Sequence, residues 1–201
     1  MNYKFIDKGN KLTICLLHGT GGDEEDLIFL GELMDKKANI LGLRGNIVEN
    51  GMNRFFKRIA PGILDEESLK KETKNLYSFL KEFSEDKGLS LTNFIFLGFS
   101  NGANILASLL FHFGNIFKAN ILLHPMRPFT EFNVENQAGA LIYLTGGLND
   151  KITPLNEIKK LANIFKENNA NVTLNIYKYG HQLSEKEIKD LKSWYKKAIK
   201  I

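Results

Sequence analysis

Short, continuous apolar runs alternate along this chain with segments of helical spacing, and that alternation limits the fold more than any other feature. The runs are KFI (4–6), LTICLL (12–17), NILGL (39–43), NFIFLG (93–98), ANILLH (119–124), ALIYLTG (140–146) and VTLNIYKY (172–179). Most are apolar at successive positions rather than at every second one, as in strands covered on both faces. Between them apolar residues recur every three or four positions. Asp23 can cap a helix bearing Leu27, Leu30 and Leu33 or Met34. Leu69, Leu76, Leu80 and Phe83 mark a second helix. Ala103, Leu106 and Leu110 belong to a third that is apolar nearly all round, hence buried. Pro154 suits the start of a fourth, with Leu155, Ile158, Leu161, Ala162 and Phe165 as its inner stripe. Ser184 and Glu187 form a capping-box pattern ahead of Ile188, Leu191, Trp194 or Tyr195, and Ala198. The expected fold is α/β, a mostly parallel central sheet with helices on both faces.

Size and composition narrow the setting. A chain of 201 residues with 43% apolar content can bury one core, so a single domain over 1–201 is expected. No insertion is large enough for a cap domain. No run reaches the roughly 18 apolar residues of a membrane span, and the N-terminal residues lack a secretory pattern, so a cytoplasmic location is expected. Cys15 is the single cysteine and lies in an apolar run, where it reads as a small buried hydrophobe. His18, His112, His124, His181 and Cys15 show no zinc-like spacing, and no metal is expected. The net charge of +4 comes mainly from dispersed lysines, without a nucleic-acid-binding module, and reads as a solvated surface. Residues 44–65 are the one long stretch without periodicity, and a loop of that length is usually functional or mobile.

The chemistry centres on Gly98, Phe99, Ser100, Asn101 and Gly102, a G-x-S-x-G set between a strand pattern and a helix pattern. A nucleophile on this turn stands above the sheet, and the small flanking residues let the backbone turn. The plainer reading is a small residue in a tight turn; strand, turn and buried helix together favour a nucleophile. A serine hydroxyl needs a base, and the base an orienting carboxylate, in the chain order serine, acid, histidine. His181, between the last strand pattern and the final helix, can reach back to Ser100. His112 lies about three turns along the following helix, too far to do so. His124 ends a strand and could line the pocket or bond to backbone. Asp150, in a turn after a strand and before Pro154, is the acid in the right place, although an aspartate in a loop is ordinarily a turn former. LLHGTGGDEEDL places a glycine-rich turn after a strand, so the backbone amide of Thr20, or that of Gly21, can join that of Asn101 as an oxyanion hole. His18 reads as holding this loop. The loop's spacing fits no phosphate-binding motif.

These motifs, in this order, resemble the α/β-hydrolase superfamily and its small, capless phospholipase/carboxylesterase family, which includes acyl-protein thioesterases. LGLRGNIVENGMNRFF and NILLHPMRP are closer still to bacterial carboxylesterase-like hydrolases associated with methylhydroquinone and catechol stress. The resemblance implies Ser100 as nucleophile, Asp150 as acid, His181 as base, and Thr20 and Asn101 amides for the oxyanion. It also implies hydrolysis of small carboxylic esters or thioesters without metal or organic cofactor, and it is the source of a homodimer expectation. Asn101 departs from acyl-protein thioesterases, which typically carry glutamine there, and this bears on substrate class. The alternatives are an acyl-protein thioesterase or lysophospholipase, and a non-catalytic ligand-binding protein on the same fold.

The four arginines, Arg44, Arg54, Arg58 and Arg127, all fall near the expected carboxyl ends of strands, where open α/β sheets bind ligands. Arg54 and Arg127 are favoured as binders of a polar or anionic acyl group, with Met52, Phe55, Phe56 and Met126 as apolar walls. The competing reading is that these arginines bridge backbone carbonyls.

Overall fold

The computed structural model describes residues 1–60 and 62–199. In chain order its strands are β1 (Tyr3–Ile6), β2 (Thr13–Leu17), β3 (Asn39–Leu43), β4 (Ile47–Glu49), β5 (Met52–Arg54), β6 (Arg58–Ala60), β7 (Ile63–Leu64), β8 (Phe94–Phe99), β9 (Ala119–Leu123), β10 (Leu141–Gly147) and β11 (Asn171–Tyr177). The helices are α1 (Ile28–Met34), α2 (Glu66–Asp86), α3 (Asn101–Phe113), α4 (Leu155–Glu167) and α5 (Glu185–Ala198). Seven strands form one sheet in the order β1-β3-β2-β8-β9-β10-β11. Only β1 runs antiparallel to its neighbour; the others pair in parallel.

Neighbouring residues of each strand face opposite sides, and both sides are covered, which is why the runs are continuously apolar. Cys15 and Leu17 of β2, Phe94 and Phe96 of β8 and Leu122 of β9 pack under α2, α3 and α4. Ile14 and Leu16, Ile95 and Leu97, and Ile121 and Leu123 face α1 and α5. Alpha-helix α3 is buried along almost its whole length, as its all-round apolar pattern requires.

Several local expectations change. Asp23 does not cap α1, which begins at Ile28; its Oδ1 accepts the Glu25 amide at 2.9 Å in a turn of its own. The chain leaves the glycine-rich segment through successive turns before it can enter the helix. Residues 44–65 are not a featureless loop but two short hairpins, β4–β5 and β6–β7. Asn50 and Gly51 both have positive φ, 53° and 76°, the turn that a two-residue hairpin requires. Strands of two or three residues are too short to display alternation, but Asn-Gly was a readable turn signal. Ser184 caps α5 by accepting the Glu187 amide at 3.2 Å. The Glu187 carboxylate, however, turns inward rather than closing the capping box.

Strand order places the site. From β2 the chain builds outward through β3 on one side, then returns to place β8 on the other. The carboxyl ends of β2 and β8 therefore lie side by side at the point where the winding reverses, the natural crevice of an open α/β sheet.

Candidate active site

Ser100 occupies the turn from β8 into α3 with φ 52° and ψ −111°, an unfavourable conformation for a residue with a side chain. Its amide donates to the Leu123 carbonyl at 2.9 Å, which ties the turn to the neighbouring strand. The glycines allow close approach: a Cβ at Gly102 would stand 2.0 Å from the Leu17 carbonyl oxygen. Thus the first turn of α3 rests directly on the end of β2.

His181, in the connection from β11 to α5, places Nε2 2.7 Å from Ser100 Oγ and Nδ1 2.7 Å from Asp150 Oδ2. The Asp150 carboxylate follows β10, and its Oδ1 accepts the amides of Ile152 and Thr153 at 2.8 Å each. Burial opposes ionisation, but the Thr153 amide, His124, His181 and the Ile152 amide outweigh it and hold this carboxyl below its ordinary range. Nδ1 of His181 thus faces an anionic oxygen, leaving Nε2 free to accept a proton from Ser100.

Thr20 and Asn101 line one cleft with Ser100. The Gly21 amide is spent on the Asn53 carbonyl at 2.9 Å, so it does not serve as the alternative to Thr20. Among the described residues the Thr20 and Asn101 amides have no hydrogen-bond acceptor, the condition for receiving an oxyanion. The loops beside them are stapled by α3: Asn101 Oδ1 accepts the Phe55 amide and Asn104 Oδ1 the Met126 amide, both at 2.7 Å. His18 holds its loop as expected. Its Nδ1 meets the Gly19 carbonyl at 2.6 Å and its Nε2 accepts the Gly45 amide at 3.1 Å, an arrangement for neutral imidazole. Burial lowers its pKa accordingly.

The dienelactone hydrolase family pattern matches residues 51–199. The chain belongs to the dienelactone hydrolase family. It is 40% identical to MhqD of Bacillus subtilis (strain 168) over 186 residues, covering 92% of this chain and 93% of that protein. The Bacillus cereus carboxylesterase superposes with a TM-score of 0.95 at 43% identity, covering 98% of this chain and 94% of that one. YahD, in a structure with malic acid, superposes with a TM-score of 0.92 at 28% identity, covering 98% of each chain. The fold is that of the α/β hydrolases, and this family member is a hydrolase.

In this dienelactone hydrolase family member the cleft over Ser100 is small, about 60 Å³, and is lined by Thr20, Arg54, Arg58, Asn104, Met126 and Ile152, among others. It shares Gly62, Leu64, Met126 and Ile152 with a neighbouring cavity of about 390 Å³ that also touches Arg127 and Phe129. Met126 therefore stands where a wall was expected. Phe55 and Phe56 do not: they are 1% and 0% exposed and belong to the core, with Phe55 against His18. Met52 approaches Gly21 from β5 and is not among the cleft residues. Arg54 is 4% exposed and already engaged, donating to Thr20 Oγ1 at 2.6 Å and to the Phe56 carbonyl at 3.1 Å while pairing with Glu49 at 3.2 Å. It braces the donor loop. Arg127 lies in the neighbouring cavity, 3.4 Å from Glu157. Arg58 is the guanidinium that combines partial exposure with a place in the Ser100 cleft, and it shares Glu49 with Arg54. Arg44 is held by Glu24, away from Ser100.

The pairing of His124 with Glu187 was missed, although each residue was noted for another role. His124 Nδ1 lies 3.0 Å from Asp150 Oδ2, and its Nε2 lies 3.4 Å from Glu187 Oε2, with both residues 1% exposed. His124, the residue after β9, has a positive φ of 53°. Among the described residues, His124, Asp150 and His181 are the three whose ligand atoms gather within 4.8 Å of one another. A metal there would have to displace the protons with which the imidazoles meet Asp150.

Proposed function

We propose that this protein is a serine carboxylesterase that cleaves small carboxylic esters through an acyl-enzyme on Ser100. The observation that carries the reading is the continuous path from Ser100 Oγ through His181 to Asp150, 2.7 Å at each step, beside two acceptor-free amides. As Ser100 Oγ bonds to the ester carbonyl carbon, His181 Nε2 takes its proton. The carbonyl oxygen becomes an oxyanion between the Thr20 and Asn101 amides. Collapse breaks the bond to the alkoxy oxygen, which leaves as an alcohol with the proton from His181. A water molecule, deprotonated by His181, then attacks the acyl carbon; the carboxylic acid departs and Ser100 regains its proton. Asp150 fixes the imidazole orientation throughout.

The small cleft favours a compact group next to Ser100, with the larger cavity taking the rest of the substrate. Among the described residues two guanidinium groups share the Glu49 carboxylate beside the cleft, and Arg58 is the partly exposed partner. An ester with a carboxylate suits that guanidinium. YahD, a related scaffold, has been determined with malic acid, a small carboxylic acid, which favours a carboxylate-bearing ligand. Steady-state hydrolysis of short aryl esters, carboxylate-bearing esters and acyl thioesters by the native protein and Ser100→Ala tests the reading. Ester turnover abolished by Ser100→Ala is expected. Turnover surviving the substitution rejects the mechanism, and faster thioester than ester turnover favours the thioesterase alternative.

A further inference from the structure

The buried pair behind the acid is costly for a purely structural feature. Two ionisable side chains, His124 and Glu187, are withdrawn from water where apolar residues could fill the same space. Glu187 Oε1 has no hydrogen-bond partner among the described residues, so local satisfaction of the carboxylate does not explain its position. Both groups instead point along one line toward Asp150. Glu187, in the first turn of α5, faces His124 Nε2; His124 Nδ1 faces Asp150 Oδ2, the oxygen that also meets His181 Nδ1. The His124 backbone is fixed from two sides, its amide donating to the Thr145 carbonyl at 3.2 Å and its carbonyl accepting from Thr153 Oγ1 at 3.4 Å.

We propose that His124 and Glu187 are positioning residues for the acid: Glu187 orients the His124 ring, and His124 donates a second N–H to Asp150 Oδ2, limiting how tightly that oxygen holds the His181 imidazolium. The proposal rests on the serine-hydrolase reading above. Asp150 Oδ1 is filled by two backbone amides, so Oδ2 is the oxygen left to serve both imidazoles. The rings of His124 and His181 are 5.3 Å apart and steeply inclined, each approaching Oδ2 from its own side. The charged and titratable groups facing His124 are Asp150 after β10, His181 after β11 and Glu187 on α5. Burial disfavours the His124 cation, yet hydrogen bonds to Glu187 and Asp150 raise its pKa, consistent with N–H donation from both ring nitrogens. A second donor on Oδ2 draws charge from the bond to His181. His124 and His181 thus compete for the same carboxylate oxygen.

The pH dependence of Ser100 labelling by a fluorophosphonate reads this property without knowledge of the substrate. In His124→Leu, Asp150 Oδ2 serves His181 alone, and the acid limb of the labelling-rate profile is expected to move up by about one pH unit, a roughly tenfold slower rate below the limb. The plateau rate at high pH should change far less. His124→Asn tolerates the positive φ and can present a side-chain N–H near the position of Nδ1, so it should restore most of the acid limb. If His124→Leu leaves an unpaired carboxylate that prevents folding, His124→Leu/Glu187→Leu removes it and should show a smaller shift in the same direction. Labelling of the native protein with acid limbs unmoved in the folded variants overturns this inference while leaving the serine-hydrolase reading intact. Failure of the native protein to label Ser100 overturns the reading on which it rests.

Discussion

Gly102→Ala should injure stability and chemistry together, because one contact supports both. The added Cβ would stand 2.0 Å from the Leu17 carbonyl oxygen, 2.5 Å from the Leu17 carbonyl carbon and 2.7 Å from the His18 carbonyl oxygen. All three are backbone atoms at the end of β2, so no side chain can swing aside. Relief to a normal contact requires a displacement of about 1 Å between α3 and β2, where overpacking typically costs about 1–3 kcal/mol and rigid neighbours argue for the upper end. With a urea dependence of about 2 kcal/mol/M, a loss of about 3 kcal/mol lowers the unfolding midpoint by about 1.5 M. In the proposed mechanism the same displacement would separate the Thr20 amide, on the loop after β2, from the Asn101 amide at the start of α3. A misplacement of about 1 Å in such a site can reduce turnover about a hundredfold. Urea unfolding and ester kcat measured on one preparation test both parts. Gly51→Ala is the control, since its Cβ meets nothing within 4 Å and only the positive φ, 76°, is penalised; it should cost about 1 kcal/mol and leave kcat unchanged. A native-like midpoint for Gly102→Ala refutes the close-approach argument. A lowered midpoint with native kcat refutes its link to the oxyanion hole.

Arg58→Ala should raise KM about tenfold for a carboxylate-bearing ester and leave a neutral ester of similar size unaffected, as expected for loss of one charged contact. By contrast, Arg54→Ala should lower kcat on both substrates about tenfold or more, because it releases Thr20 and leaves Glu49 without its buried partner; parallel kinetics on the two esters separate the cases. Asp150 has a folded pKa below 3.8, so its contribution to stability is present above the unfolded value and is lost as pH falls through the folded one. His124 has a folded pKa above 6.5, so its contribution is complete below about pH 6.5 and is lost as pH rises through the raised value. Urea midpoints across pH should therefore decline on both sides, and Glu187→Gln should flatten the alkaline decline while leaving the acid one; an unchanged alkaline slope contradicts the assignment.

Much of this arrangement was legible in the chain because its causes are local. Strands covered on both faces must be continuously apolar, and a serine turn between strand and helix leaves its glycines in the sequence. Asp150 and His181 followed from chain order, since each strand of a parallel sheet delivers its next loop to the same edge. Pairings between distant segments were not legible. Glu187 reads as half of a capping box on a solvent-facing turn, and its carboxylate turns inward to a histidine 63 residues away. Arg54 and Arg127 read either as binders of an anionic group or as bridges to backbone carbonyls, and the Glu49 and Glu157 partners beside them were not visible. Phe55 and Phe56 read as pocket walls because they lie in an irregular segment, but the hairpin before them turns both rings into the core. The Asn50-Gly51 turn that sets that hairpin was visible, and it outweighs the missing periodicity of strands three residues long.

The central claim is a covalent acyl group on Ser100. Intact-mass analysis of the protein quenched during turnover of a short aryl ester, with peptide mapping of the modified chain, measures it directly. The account predicts a mass increase equal to the acyl group, located on the peptide containing Ser100, abolished by Ser100→Ala and longer-lived in His181→Ala given an activated ester. Turnover without any acyl adduct, or an adduct on another residue that persists in Ser100→Ala, contradicts it.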